Sequence, residues 1–292
     1  MQARFCDLGA PARLAVFALG LALVGGIAAL AGAATGHGRV ATEDTRADAM
    51  AMGQMSPADR SRANGLASVA GGYAFVPVRT TLPRAQRTTF RFRIVDNRGR
   101  AFRGFDLDGG VRLHLIVVRR DFAGYQHVHP KLQADGSWAV PLELRAPGVY
   151  RAFADFEIGG RKTVLGHDLF VPGSFAPAPS AAAATVAATD GFTVRLTHDP
   201  LHANAATRLH FAVSRDGRPL QSFDTYVGHR GHLVALRDGD LSYSHVHPEP
   251  DAEVGEIVFH TDLPSAGSYR LFLQFKVAGV VHTAPFTVEV AR

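Results

Sequence analysis

Residues Gly99 to Pro130 align without a gap on Gly217 to Pro248, always 118 positions apart, and 14 of those 32 positions are identical. A repeat of that size matches one ordinary domain and far exceeds a solenoid unit, so the chain is expected to fold as two globular bodies of one kind. Shared positions include Gly99 and Gly217, Phe105-Asp106 and Phe223-Asp224, Arg112 and Arg230, Arg119 and Arg237, and Tyr125 and Tyr243. Six of the fourteen histidines are shared as well: His114, His127 and His129 in one copy, and His232, His245 and His247 in the other. Both sets have the spacing His-x12-His-x-His-Pro.

Within each copy the apolar residues alternate, as at Phe90, Phe92 and Ile94, at Trp138, Val140 and Leu142, at Leu209, Phe211 and Val213, and at Phe286, Val288 and Val290. Period two over short runs marks half-buried strands. Asp135-Gly136, Asp216-Gly217 and Asp238-Gly239 supply turns between them, and no amphipathic helix stands out. The fold class is therefore all-β: two tandem immunoglobulin-like or cupredoxin-like β-sandwich domains after an N-terminal hydrophobic helix. Pro147-Gly148-Val149-Tyr150 and Ala266-Gly267-Ser268-Tyr269 each open an alternating strand in the manner of a tyrosine corner.

Residues 1–13 form a cytoplasmic n-region with Arg4 and Arg13, and 14–34 form an apolar run that is either a transmembrane anchor or a signal peptide. Its length is nearer to a spanning helix than to a cleaved leader, and the arginines place the N-terminus inside. The expected location is thus the cell membrane, single-pass with the domains outside the cytoplasm, or secreted if 1–34 are removed. Residues 35–70 read as a flexible spacer, 71–173 as the first sandwich, 174–189 as an Ala/Pro linker and 190–292 as the second sandwich.

Cys6 is the sole cysteine and precedes the apolar run, so the domains carry neither disulfide nor thiolate. Any metal must be held by His, Met or carboxylate. His127 and His129 leave one face of a strand. Facing residues in a hairpin have a constant sum. A turn centred on Asp121-Phe122 gives 243 and sets His114 opposite His129. In the second copy, a turn on Gly239-Asp240 gives 479 and sets His232 opposite His247; a turn on Asp238-Gly239, the stronger hairpin signal, gives 477 and pairs His232 with His245. All three imidazoles share a face in either register. Neutral imidazole suits Cu, Zn or Ni. The other reading of these histidines is structural, as braces of the hairpin.

Asp106 and Asp224, eight residues before the first histidine of each set, are candidate fourth ligands or orienting partners, with turn and strand-end roles as the alternative. His229 is an optional extra ligand. Met50, Met52 and Met55 form a Met-x-Met-x-x-Met run in the spacer, a thioether set of the kind that selects Cu(I).

The segments Leu113 to Asp121 with His127-Val128-His129-Pro130, and Gly231 to Arg237 with His245-Val246-His247-Pro248, resemble a family of exported or membrane-anchored bacterial tandem-domain proteins labelled heavy-metal-binding. That resemblance implies a place in metal homeostasis. A looser similarity is to CopC-type copper carriers, which implies that the His-x-His pairs hold copper.

The 28 arginines are scattered and lysine occurs only at 131, 162 and 276, so the formal charge of +5 signals no nucleic-acid partner. Neither a Gly-x-Ser-x-Gly elbow, a His-Glu-x-x-His pair nor a phosphate loop is present, which argues against an enzyme. The expected function is extracytoplasmic binding of a metal, copper or alternatively zinc, as carrier or buffer. One site per domain is expected, a membrane metal pump is the expected partner, and the N-terminal helix is the contact with the membrane. The alternative is a metal-free immunoglobulin-like interaction module.

Overall fold

The computed structural model describes residues 64–292 apart from 245, 250, 251 and the side chain of His247. Residues 1–63, with the apolar run, His37 and the three spacer methionines, lie outside the described residues.

Every strand ladder is antiparallel, and among the described residues there is no helix. In the first domain one sheet has the order β1 (Val69–Ala70), β2 (Tyr73–Pro77), β3 (Thr88–Asp96), β7 (Trp138–Leu142), β6 (Lys131–Leu132). The other has β5 (Gln126–Val128), β4 (His114–Arg119), β8 (Gly148–Ile158), β9 (Arg161–Val171). Phe75, Phe90, Phe92, Ile94 and Trp138 of the first sheet meet Leu115, Val117, Tyr150 and Leu165 of the second in one buried core.

The second domain repeats this plan. One sheet has the order β10 (Val186–Thr189), β11 (Phe192–Thr197), β12 (Ala206–Arg215), β17 (Glu256–Asp262), β16 (His247–Pro248), with β13 (Arg218–Pro219) on β12. The other has β15 (Tyr243–Ser244), β14 (Gly231–Arg237), β18 (Gly267–Val277), β19 (Val280–Val290). Both tyrosine corners form: the Tyr150 hydroxyl donates to the Ala146 carbonyl at 2.9 Å, and that of Tyr269 to Ser265 at 3.0 Å. Two tandem immunoglobulin-like sandwiches result.

Two boundaries shift from the sequence reading. Strand β10 lies inside the segment 174–189 read as linker, because Val186 to Thr189 complete the ladder of β11. Residues 64–70, read as spacer, are held too: Gly65 and Leu66 carbonyls accept from the Arg151 guanidinium, and the Asn64 carbonyl accepts from the Tyr243 amide at 2.9 Å.

Strand β4 is buried at all six positions. Leu115 and Val117 point into their own sandwich, whereas Ile116 and Val118 point out of it. The outer face meets the repeat-related face of the second domain, where Val234, Leu236, Tyr243 and Phe272 join Ile116, Val118 and Phe153 in an interdomain core. Contacts recur in related pairs: Tyr125 stacks on Phe272 at 4.0 Å between centroids, and Tyr243 lies 5.6 Å from Phe153. Matching turns at 108–111 and 226–229 touch, with Gly109 at φ 58°. A Cβ on Gly109 would stand 2.0 Å from the Val227 carbonyl oxygen, so only glycine allows that approach.

Candidate metal centre at the domain interface

The first hairpin takes the register with sum 243: Leu115 faces Val128 and Ile116 faces His127. Its turn is fixed by Arg119, which donates to both carboxylate oxygens of Asp121 at 2.7 Å, and by Phe122 at φ 66°. His114, His127 and Tyr125 consequently leave the outer face of the sheet, towards the second domain. One ring nitrogen from each of His114, His127 and His129 lies within 4.8 Å of the others. The three ring centroids are 4.9 to 5.1 Å apart.

The tautomers follow from the partners. His127 Nδ1 lies 2.7 Å from Gln274 Oε1 of the second domain, so Nδ1 carries the proton and Nε2 a lone pair. The Gln274 amide is oriented by donation to Thr283 Oγ1 at 3.1 Å. His114 Nδ1, 2.9 Å from His127 Nε2, then donates to it. His129 Nε2 is buried and has no hydrogen-bond partner among the described residues. Across the interface the His232 ring stands 5.5 Å from His114 and 5.6 Å from His127, and its Nε2 donates to the Tyr226 carbonyl at 3.0 Å. His114, His127, His232, Asp108 and Asp155 are among the residues around a cavity of about 40 Å³, enough for an ion or a water.

Burial dominates the electrostatics. It pushes His114 and His129 down to about 4, and depresses His127 and His232 as well; their neighbouring imidazoles add to the effect. At neutral pH all four are uncharged and present lone pairs, the form a metal requires. Asp155, which pulls His114 the other way, accepts from the Tyr243 hydroxyl at 2.8 Å, and Asp108 from Lys162 at 2.8 Å. Tetrahedral coordination with bonds of about 2.0–2.1 Å separates donors by about 3.4 Å. Donors that already lie within 4.8 Å reach that spacing by small ring rotations, so the residues fit an ion.

The other candidate residues are engaged elsewhere. Asp106 and Asp224 take the turn role that stood as the alternative to ligation: Asp106 Oδ2 accepts from the Gly160 amide at 2.9 Å and Asp224 Oδ2 from the Gly279 amide at 2.7 Å, so each clamps the turn after β8 or β18. In the second hairpin Ala235 faces Ser244 and Leu236 faces Tyr243, a sum of 479. The Asp238-Gly239 turn loses because Asp240 pairs with Arg237 and accepts from the Ser242 amide at 2.9 Å. His247 pairs through its backbone with His260 on β17. His245 and the His247 side chain lie outside the described residues. His229 stands 5.8 Å from His232 at the rim. His167 Nδ1 donates to the Asp168 carbonyl at 3.0 Å and His282 Nδ1 pairs with the Asp190 carboxylate at 2.8 Å, so neither joins the triad.

Gln274, Asp155 and Tyr226 were missed. The ladder places Asp155 opposite His114 and Gln274 opposite His232, a relation that only the order of strands reveals.

No curated protein matches this chain. Among solved structures it is similar to the Lin-41 filamin domain, at 17% identity over 37% of this chain and 98% of that one, with a TM-score of 0.27. The FdeC adhesin of Escherichia coli gives 14%, 77%, 65% and 0.25, and a chimeric titin Z1Z2 tandem gives 14%, 75%, 98% and 0.20. Residues 67–173 and 185–292 each match the domain of unknown function DUF8832, and the chain therefore belongs to that family, with two copies of its domain in tandem.

Proposed function

We propose that this protein binds a transition-metal ion on His114, His127 and His129 and serves outside the cytoplasm as a carrier or buffer in metal homeostasis, not as an enzyme. The observation that carries this reading is the convergence of three uncharged imidazoles, one of them with a buried nitrogen that has no hydrogen-bond partner among the described residues. Copper is the metal proposed, with zinc as the alternative. Imidazole serves both, and the Met50, Met52 and Met55 run adds soft donors for Cu(I). A membrane anchor at 14–34 and a metal pump as partner belong to the same reading. When bound, the ion would supply charge to a centre of neutral donors; His127, oriented by Gln274, would offer Nε2 to it.

Titration of the full chain with Cu(II), Cu(I) and Zn(II), read as stoichiometry and melting temperature, tests this. A ligand that binds only the folded state adds about 2.7 kcal/mol at 100 times its Kd. One tight equivalent or more, with a raised Tm, is expected for the wild type, and its loss in the double variant His127→Ala, His129→Ala. Absent binding, or unchanged stoichiometry in that variant, overturns the reading.

A second reading is favoured by the hydrogen bonds from His114 to His127 and from His127 to Gln274. Here the imidazoles brace the two domains of an interaction module, and the same variant lowers Tm by the same amount with or without metal.

A further inference from the structure

The triad belongs to the first domain, but the groups that surround it do not. Gln274 is 6% exposed and comes from β18 of the second domain; it is the residue that directs the His127 ring. His232, on β14, spends its Nε2 proton on the Tyr226 carbonyl, which leaves Nδ1 with the lone pair. Ligating histidines are commonly oriented by donation of the other ring N–H to a backbone carbonyl, and this is that arrangement before any ion arrives. The carboxylates nearest the cavity are engaged elsewhere, Asp155 by Tyr243 and Asp108 by Lys162. That leaves an imidazole as the natural fourth donor. His232 is held against the triad by the 226–229 turn, whose Val227 and Gly228 abut Gly109 of the first domain.

Resting on the metal reading, we infer that the second domain completes the site: His232 supplies a fourth nitrogen donor through Nδ1 and Gln274 positions His127, so that a bound ion fastens the two domains together. A site closed by four protein donors stores an ion and lacks an open position for chemistry. The ion then enters and leaves as the domain interface opens, and occupancy regulates how firmly the domains hold each other.

The test uses the full chain with Cu(II) and Zn(II) against a competing chelator, electron paramagnetic resonance of the Cu(II) form, and limited proteolysis across residues 174–185. For the wild type we expect a four-nitrogen Cu(II) signal and metal-dependent protection of that segment. His232→Ala should lower affinity by at least tenfold, reduce the nitrogen count and abolish the protection. His232→Gln keeps a polar side chain at the position, guards against a folding defect, and should behave alike. Gln274→Leu, a change to a positioning residue, should weaken binding roughly 10–100-fold while the nitrogen count stays the same. Wild-type binding with no change in affinity or nitrogen count in either His232 variant overturns the interdomain site and leaves the triad standing. A wild type that binds no metal overturns both.

Discussion

Burial of the four imidazoles makes the metal-free protein sensitive to acid. Free imidazole titrates near 6.5, whereas His114 and His129 are held down to about 4. Between those values the unfolded chain takes up protons that the folded chain refuses, so stability is intact above pH 6.5 and falls as pH drops towards 4. We predict that Tm of the metal-free chain falls between pH 7 and pH 4.5, and that His114→Gln flattens this decline. An equally steep decline in the variant would contradict the assignment. Gly109 makes a second residue-scale case. Its φ of 58° and the adjacent Val227 carbonyl exclude a side chain, so Gly109→Ala should destabilise the protein by about 1–3 kcal/mol in a denaturant titration. The related turn puts Val227, a β-branched residue, at φ 48°, a conformation that only a tightly held neighbourhood maintains.

Strands and hairpins explain what could be read in advance. Alternation located the sandwich strands, Gly-x-Tyr located both corners, and the constant-sum rule gave the first hairpin, since Asp121-Phe122 is its turn. The second hairpin offered two turns whose contest was decided by a side chain: Asp240 grips Arg237 and the Ser242 amide, and local turn propensity cannot weigh that pairing. The aspartate clamps were ambiguous for a similar reason, because their partners, the amides of Gly160 and Gly279, lie 54 and 55 residues away. Asp106→Ala should thus loosen the β8–β9 hairpin and lower stability by about 1 kcal/mol. Metal affinity measured on the same variant should equal that of the wild type; a tenfold loss would restore the aspartate as a ligand.

At the scale of the whole molecule, the domain interface had a signal that alternation alone passes over. Leu113 to Val118 contains no exposed polar break, unlike β3, where burial alternates, and a strand without alternation is covered on both faces. What covers it could not be read from one copy, because the partner is the other copy. The two faces that meet are repeat-related, with Tyr125 on Phe272 and Tyr243 near Phe153, which is the pattern of an isologous contact. The first domain has its own core, and if cut out as residues 64–176 it would leave Ile116, Val118 and Phe153 uncovered. We predict that this fragment self-associates in sedimentation at micromolar concentration; a strictly monomeric fragment would contradict the interface.

The ladders set Asp155 and Gln274 at matching places, opposite His114 and His232. Two separate identical subunits meeting through this face would be obliged to carry the same residue at both places: either two carboxylates in one buried seam, or two amides. Joining the copies in a single chain removes that obligation. One position has become an acid that receives a tyrosine hydroxyl and the other an amide that directs a histidine, so covalent linkage lets an otherwise symmetric seam have one polar half of each kind.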